Sequence, residues 1–138
     1  MLGNKIGEEH GKVKGQRILP GDDKMSFIKL EVSTETQLTI YGIEGMGMAT
    51  FVAYERGPGQ MYAEGHGIIM TMTGAGAIWN GHGVGTMGED GTMHLAVSLA
   101  VQTTDEKLAA LNNVLVLGEV HQTMAGDIDG VFYEWKGQ

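Results

Sequence analysis

The sequence predicts an all-β fold: about eight antiparallel strands closed into an up-and-down barrel, with one short helix near residues 104–112. Three observations predict it. Apolar and polar residues alternate with period two along most of the chain, as half-buried strands require. Glycine- and proline-bearing turn signals separate these runs at short intervals, which favours antiparallel hairpins. Glycine is abundant, 23 residues of 138, with no Gly-X-Y period, and that suits close-packed strands better than helices.

The clearest strand is 27–41. Ile28, Leu30, Val32, Leu38 and Ile40 alternate with Lys29, Glu31, Ser33, Glu35, Gln37 and Thr39, so the even positions face inward. Further strands are expected at 8–18, 46–56, 60–72, 77–87, 92–103, 114–124 and 130–136. The intervening turns are Pro20-Gly-Asp-Asp23, Gly42-Ile-Glu-Gly45, Gly57-Pro-Gly59, Gly74-Ala-Gly76, Gly88-Glu-Asp-Gly91 and Ala125-Gly-Asp127. Thr103-Thr-Asp-Glu106 has the form of a capping box, and Lys107–Asn113 follows with Leu108 and Leu111 on one face, so a short helix closes one end of the sheet. Consecutive hairpins need no long crossover, and closure removes exposed edges, which favours a barrel over the alternative, a β-sandwich. The length suits a single domain, 1–138.

The charge of −8, with only 9 Lys and Arg, argues against nucleic acid and anionic membrane surfaces as partners. Cysteine is absent, which excludes disulfides and Cys-ligated zinc. The first residues meet charge and glycine before any apolar run, unlike a signal peptide, and no run of about 18 apolar residues exists. A cytoplasmic protein is expected.

Gly-His-Gly occurs twice, at 65–67 and 81–83. If the turn between them has an odd number of residues, even positions pair with even, and His66 lies opposite His82. A four-residue loop at 88–91 would then set Met87 against Thr92 and continue the histidine face into Met93, Leu95, Val97, Leu99 and Val101, so this face is expected to be the barrel interior. Glu64, His66, Asn80 and His82 would sit together in an apolar wall. Buried ionisable groups must be paired or functional. The cluster is therefore a self-satisfied network, a ligand-anchoring or acid/base site, or a metal site of two histidines and a carboxylate. In the acid/base reading His66 or His82 carries the proton, Glu64 is orienter or base, and Asn80 donates. Ligand binding is the reading adopted, with no metal and no cofactor. Glu119 and His121 join only if the odd positions of 114–124 point inward; His94 is expected outside, and His10 near a mobile terminus. Met46, Met48, Met70, Met72, Met87 and Met93 fill core gaps or line an adaptable pocket. Trp79, opposite the histidines and beside Gly81, Gly83, Ala96 and Ala100, would lie outside on a flat surface that suggests a homo-oligomer.

Gly76-Ala-Ile-Trp-Asn-Gly-His-Gly-Val-Gly85, Gln102-Thr-Thr-Asp-Glu-Lys-Leu-Ala-Ala-Leu-Asn112 and the closing Tyr133-Glu-Trp-Lys136, in this strand order, resemble small bacterial proteins of unknown function with calycin-like or allene-oxide-cyclase-like barrels. The resemblance implies a lumen that holds a small, largely apolar molecule. The alternatives are an isomerase or cyclase using Glu64, His66, Asn80 and His82, and a structural oligomer without ligand.

Overall fold

Glycine at the third position of a three-residue loop repeats at three hairpins and sets the register of the sheet. In the computed structural model, which describes residues 3–21 and 29–137, Gly74, Gly91 and Gly126 each adopt a left-handed backbone with φ of +88°, +80° and +91°. At each hairpin the glycine N–H donates back to the residue that opens the loop, Thr71, Gly88 or Thr123, and that residue's own N–H reaches across to Ala75, Thr92 or Asp127. This is a turn followed by a left-handed residue, a geometry glycine adopts without strain. A two-residue turn, Tyr41-Gly42, joins Ile40 to its partner Ile43; both turn residues have positive φ, which suits the twist of the strands it links.

Eight strands result, in the order β1 (Lys5–Ile18), β2 (Lys29–Ile40), β3 (Ile43–Gly57), β4 (Gln60–Thr71), β5 (Gly76–Met87), β6 (Met93–Gln102), β7 (Leu115–Gln122) and β8 (Asp127–Trp135). Each pairs antiparallel with its neighbour in sequence, and β1 pairs with β8 from Lys5↔Tyr133 to Lys12↔Asp127, closing the barrel. The expected barrel stands, and the sandwich does not. β1 and β3 each begin three residues earlier than the alternation suggested. Phe27, Ile28 and the Asp22-Asp23 part of the first expected turn lie outside the described residues.

Residues Glu106–Asn113 form a 3-10 helix between β6 and β7. The expected Thr103/Glu106 box is replaced by a cap one step on: the Lys107 N–H donates to Asp105 Oδ1 at 2.8 Å, and the Asp105 N–H to Thr103 Oγ1 at 3.1 Å. Thr103 Oγ1 donates to the Gly76 carbonyl at 2.6 Å, and Asn112 clasps the Thr103 backbone through both amide atoms. With its start and end tied to one residue at the barrel rim, the helix drives Leu108 and Leu111 into the opening, where they are 0% and 1% exposed. They pack with Ile6, Ile40, Ala75, Ala77 and Val116. A second cluster, Ala53, Met61, Ala63, Met93 and Leu95, fills the opposite end.

Odd positions face inward on β3, β4, β5 and β6 and on β1 from Gly7 on, after a register shift that also buries Ile6, and even positions on β2, β7 and β8. Inward glycines make room for bulky neighbours: a Cβ on Gly67 would stand 2.6 Å from the indole of Trp79, and one on Gly118 equally close to the ring of Phe132. The glycines of the Gly-His-Gly repeats thus serve the interior, and their histidines point to solvent.

Candidate functional site

Between the two apolar clusters lies a lumen of about 140 Å³. Its wall is mostly Leu, Ile, Val and aromatic side chains, including Leu99, Val97, Phe51, Trp79 and Phe132, and Leu111 reaches it from the helix. Into this wall β1 sends one carboxyl group, that of Glu9. Along β1 the even residues Glu8, His10, Lys12 and Lys14 are exposed, which turns Gly7, Glu9, Gly11 and Val13 inward. Glu9 pairs with Leu38 on β2 and Gly130 on β8. Gly130 leaves it room, since a Cβ there would lie 3.0 Å from Glu9 Cγ and 3.1 Å from Oε1. Thr36 Oγ1 donates to Glu9 Oε2 at 3.0 Å.

No ion pair reaches Glu9 among the described residues. Burial pushes its carboxyl above the ordinary 4.5, while the Thr36 hydrogen bond and the charge of His10 oppose the shift. A lone acid with a raised pKa in an apolar cavity is an arrangement that functional sites use. The buried hydroxyls of Thr34 and Thr36 stand beside it on β2.

The four residues expected inside occupy the other side of the wall. Glu64, His66, Asn80 and His82 share one face, as the odd turn required, but all are exposed, and that face is the outer one. His66 pairs with Asn80 and His82 with Glu64, so the histidines are diagonal rather than opposite. The loop is Met72-Thr73-Gly74, centred on Thr73, whereas His66 opposite His82 needs a loop centred on Gly74; a centre one residue earlier moves every partner by two. The inversion of faces has a separate origin: Met87 pairs with Met93, not Thr92, so the odd positions of β5 continue into the apolar positions of β6.

Around the outer cluster, Tyr62 stacks on His82 with ring centroids 6.4 Å apart and donates to Glu64 Oε2 at 3.4 Å; the Arg56 guanidinium lies 3.9 Å above the Tyr62 ring. Among the described residues no three His, Asp or Glu side chains converge in a geometry that could hold a metal ion.

Trp79 faces the lumen, not solvent, as do Gly81 and Gly83. Glu119, His121 and His94 all point outward, and the His94 and His121 rings touch edge to face at 4.4 Å. His10 is held within β1, its Nδ1 2.5 Å from Asp129 Oδ1. Of the methionines expected in the core, only Met93 is buried; Met46, Met48, Met70, Met72 and Met87 are exposed on or beside the outer wall. Glu9 was missed, although the charged even positions of β1 already marked its odd positions as the inner face.

Fold and lumen together define a closed eight-stranded antiparallel barrel with a mainly apolar interior and a helix over one mouth. It is similar in structure to a protein with unknown function from Clostridium acetobutylicum, with a TM-score of 0.82, 11% identity and coverage of 96% of this chain and 98% of the other. A beta-barrel like protein from Acinetobacter baumannii gives a TM-score of 0.80 at 10% identity, covering 98% and 96%. An enzyme from Penicillium herquei gives 0.68 at 17% identity, covering 95% and 92%. At these identities the likeness is one of fold. No protein-family description matches the sequence, and no curated protein matches it. Among the described residues no helix is long and apolar enough to cross a membrane.

Proposed function

We propose that the chain binds a small, largely apolar molecule in the barrel lumen. The observation that carries this reading is the cavity of about 140 Å³, lined mainly by aliphatic and aromatic side chains and holding the inward carboxyl of Glu9. An apolar void of about 150 Å³ is known to accept benzene, so the fitting ligand is a single-ring compound or a short branched chain. The up-and-down strand order fits the calycin-like reading of the sequence. Native mass spectrometry of protein purified from its own host tests the proposal: a retained small molecule is expected, absent from a Val97→Trp variant that fills the lumen. Protein that carries no ligand and shows no thermal shift with any single-ring compound would count against it.

A second reading, an isomerase or cyclase, draws on the raised pKa of Glu9 inside a mainly apolar cavity and on the enzyme from Penicillium herquei with a similar fold. In that reading Glu9 takes the acid/base role first expected of the outer residues Glu64, His66, Asn80 and His82. Turnover abolished by Glu9→Gln, with binding retained, would separate it from simple binding.

A further inference from the structure

The lumen is almost uniformly apolar, yet it keeps an acid whose burial is costly. Three details define what that acid presents. Thr36 donates its hydroxyl proton to Oε2 at 3.0 Å, which commits that oxygen as an acceptor and fixes the plane of the group. On the other side, Gly130 leaves the space beside Oε1 free of a side chain of its own, since a Cβ there would stand 3.1 Å from Oε1, and the Phe132 ring borders that space. No ion pair reaches the carboxyl among the described residues, so an ionised form has only the Thr36 hydroxyl and the outward charge of His10 to offset its burial.

A protonated carboxyl held in this way offers one O–H donor toward the lumen. An ammonium ligand would need acceptors for three N–H groups. Besides Glu9, the inward polar side chains of the wall are Thr34, Thr36 and Gln122, and the Thr36 hydroxyl is already turned to Glu9. A carbonyl oxygen needs one donor and finds it. An anionic head would meet an acid and a chain of charge −8.

We infer that the lumen selects neutral, single-ring carbonyl compounds, anchored by a hydrogen bond from the Glu9 carboxyl to the ligand's carbonyl oxygen. This rests on the lumen being the binding site, and the experiment keeps the two apart. Acetophenone, ethylbenzene and 1-phenylethylamine have nearly the same shape and differ in the head group: carbonyl, none and ammonium. Their affinities are measured calorimetrically in weakly acidic buffer for the natural chain, Glu9→Gln and Glu9→Leu.

Acetophenone is expected to gain over ethylbenzene in the natural chain and in Glu9→Gln, whose amide N–H still donates, and to lose about tenfold of that preference in Glu9→Leu. Ethylbenzene should bind all three, which also reports that the variants keep their lumen. If no compound binds the natural chain, the lumen reading falls and this inference with it. If ethylbenzene binds but the preference for acetophenone is the same in Glu9→Leu, the lumen reading stands and the role of Glu9 is overturned. A preference for 1-phenylethylamine that disappears in Glu9→Gln would overturn the carbonyl class and make the carboxylate an ion-pair anchor.

Discussion

The indole of Trp79 lies directly on Gly67, its partner across β4 and β5, so close that a single methyl group on Gly67 would stand 2.6 Å from Cε2 and Nε1 and 2.7 Å from the Met48 carbonyl oxygen. Gly67→Ala therefore overpacks the wall and is expected to destabilise the protein by about 1–3 kcal/mol. Denaturant unfolding should show a lower midpoint with an unchanged slope. Trp79 fluorescence, read in a Trp135→Phe background to remove the second, exposed tryptophan, should shift with it.

The two buried leucines of the 3-10 helix should behave differently on truncation. Leu108→Ala and Leu111→Ala each remove a side chain at most 1% exposed and should cost about 2–5 kcal/mol. Only Leu111 lines the lumen, so only Leu111→Ala should admit a ligand one or two carbons larger, as measured by calorimetry over a series of alkylbenzenes.

Stability should fall as pH rises through the range in which Glu9 ionises in the folded protein. Its folded pKa lies above the ordinary 4.5, so the folded state holds the proton more tightly than the unfolded one. The contribution is then fully present below about 4.5 and is lost on passing the folded pKa. The groups around it are the Thr36 hydroxyl from β2, Gly130 and Phe132 from β8, and the outward His10 and Glu8 on its own strand. Chemical denaturation across the weakly acidic range should show this decline in the natural chain and a flatter profile in Glu9→Gln. Identical profiles would contradict the assignment.

Tyr41 should be among the last tyrosines to ionise. Burial, then the hydrogen bond it donates to Glu134 Oε2 at 3.1 Å and the charge of that carboxylate, push its hydroxyl up to about 12. An absorbance titration should contain a component with that midpoint, and Tyr41→Phe should remove it.

The strands and their order were legible because alternation and turn residues are local signals. The side of the wall was not, because it depends on loop parity, and parity changes with one residue. Reading Gly88–Gly91 as four loop residues turned Trp79, His66 and His82 to the wrong faces, whereas Gly88 in fact pairs with Thr92 and leaves three. The third-position glycine common to Gly74, Gly91 and Gly126 was the available cue. The repeated Gly-His-Gly drew attention to its histidines, the more reactive residues, while its glycines do the packing. Glu9 is exceptional in a different sense: its odd-position neighbours Gly7 and Gly11 carry no apolar signal, so alternation on β1 shows only in the charged residues that point away.

The pairing of β1 with β8 bears on when the lumen comes into existence. During synthesis the hairpins β2–β3, β4–β5 and β5–β6 form between neighbours as they emerge, but Glu9 must wait for Gly130 and Phe132, made more than a hundred residues later. Until the last strand arrives the nascent sheet is an open ribbon with two unpaired edges and an acid on one of them. The chain therefore acquires its edges' protection and its cavity in the same closing event, and a product truncated before β8 has neither.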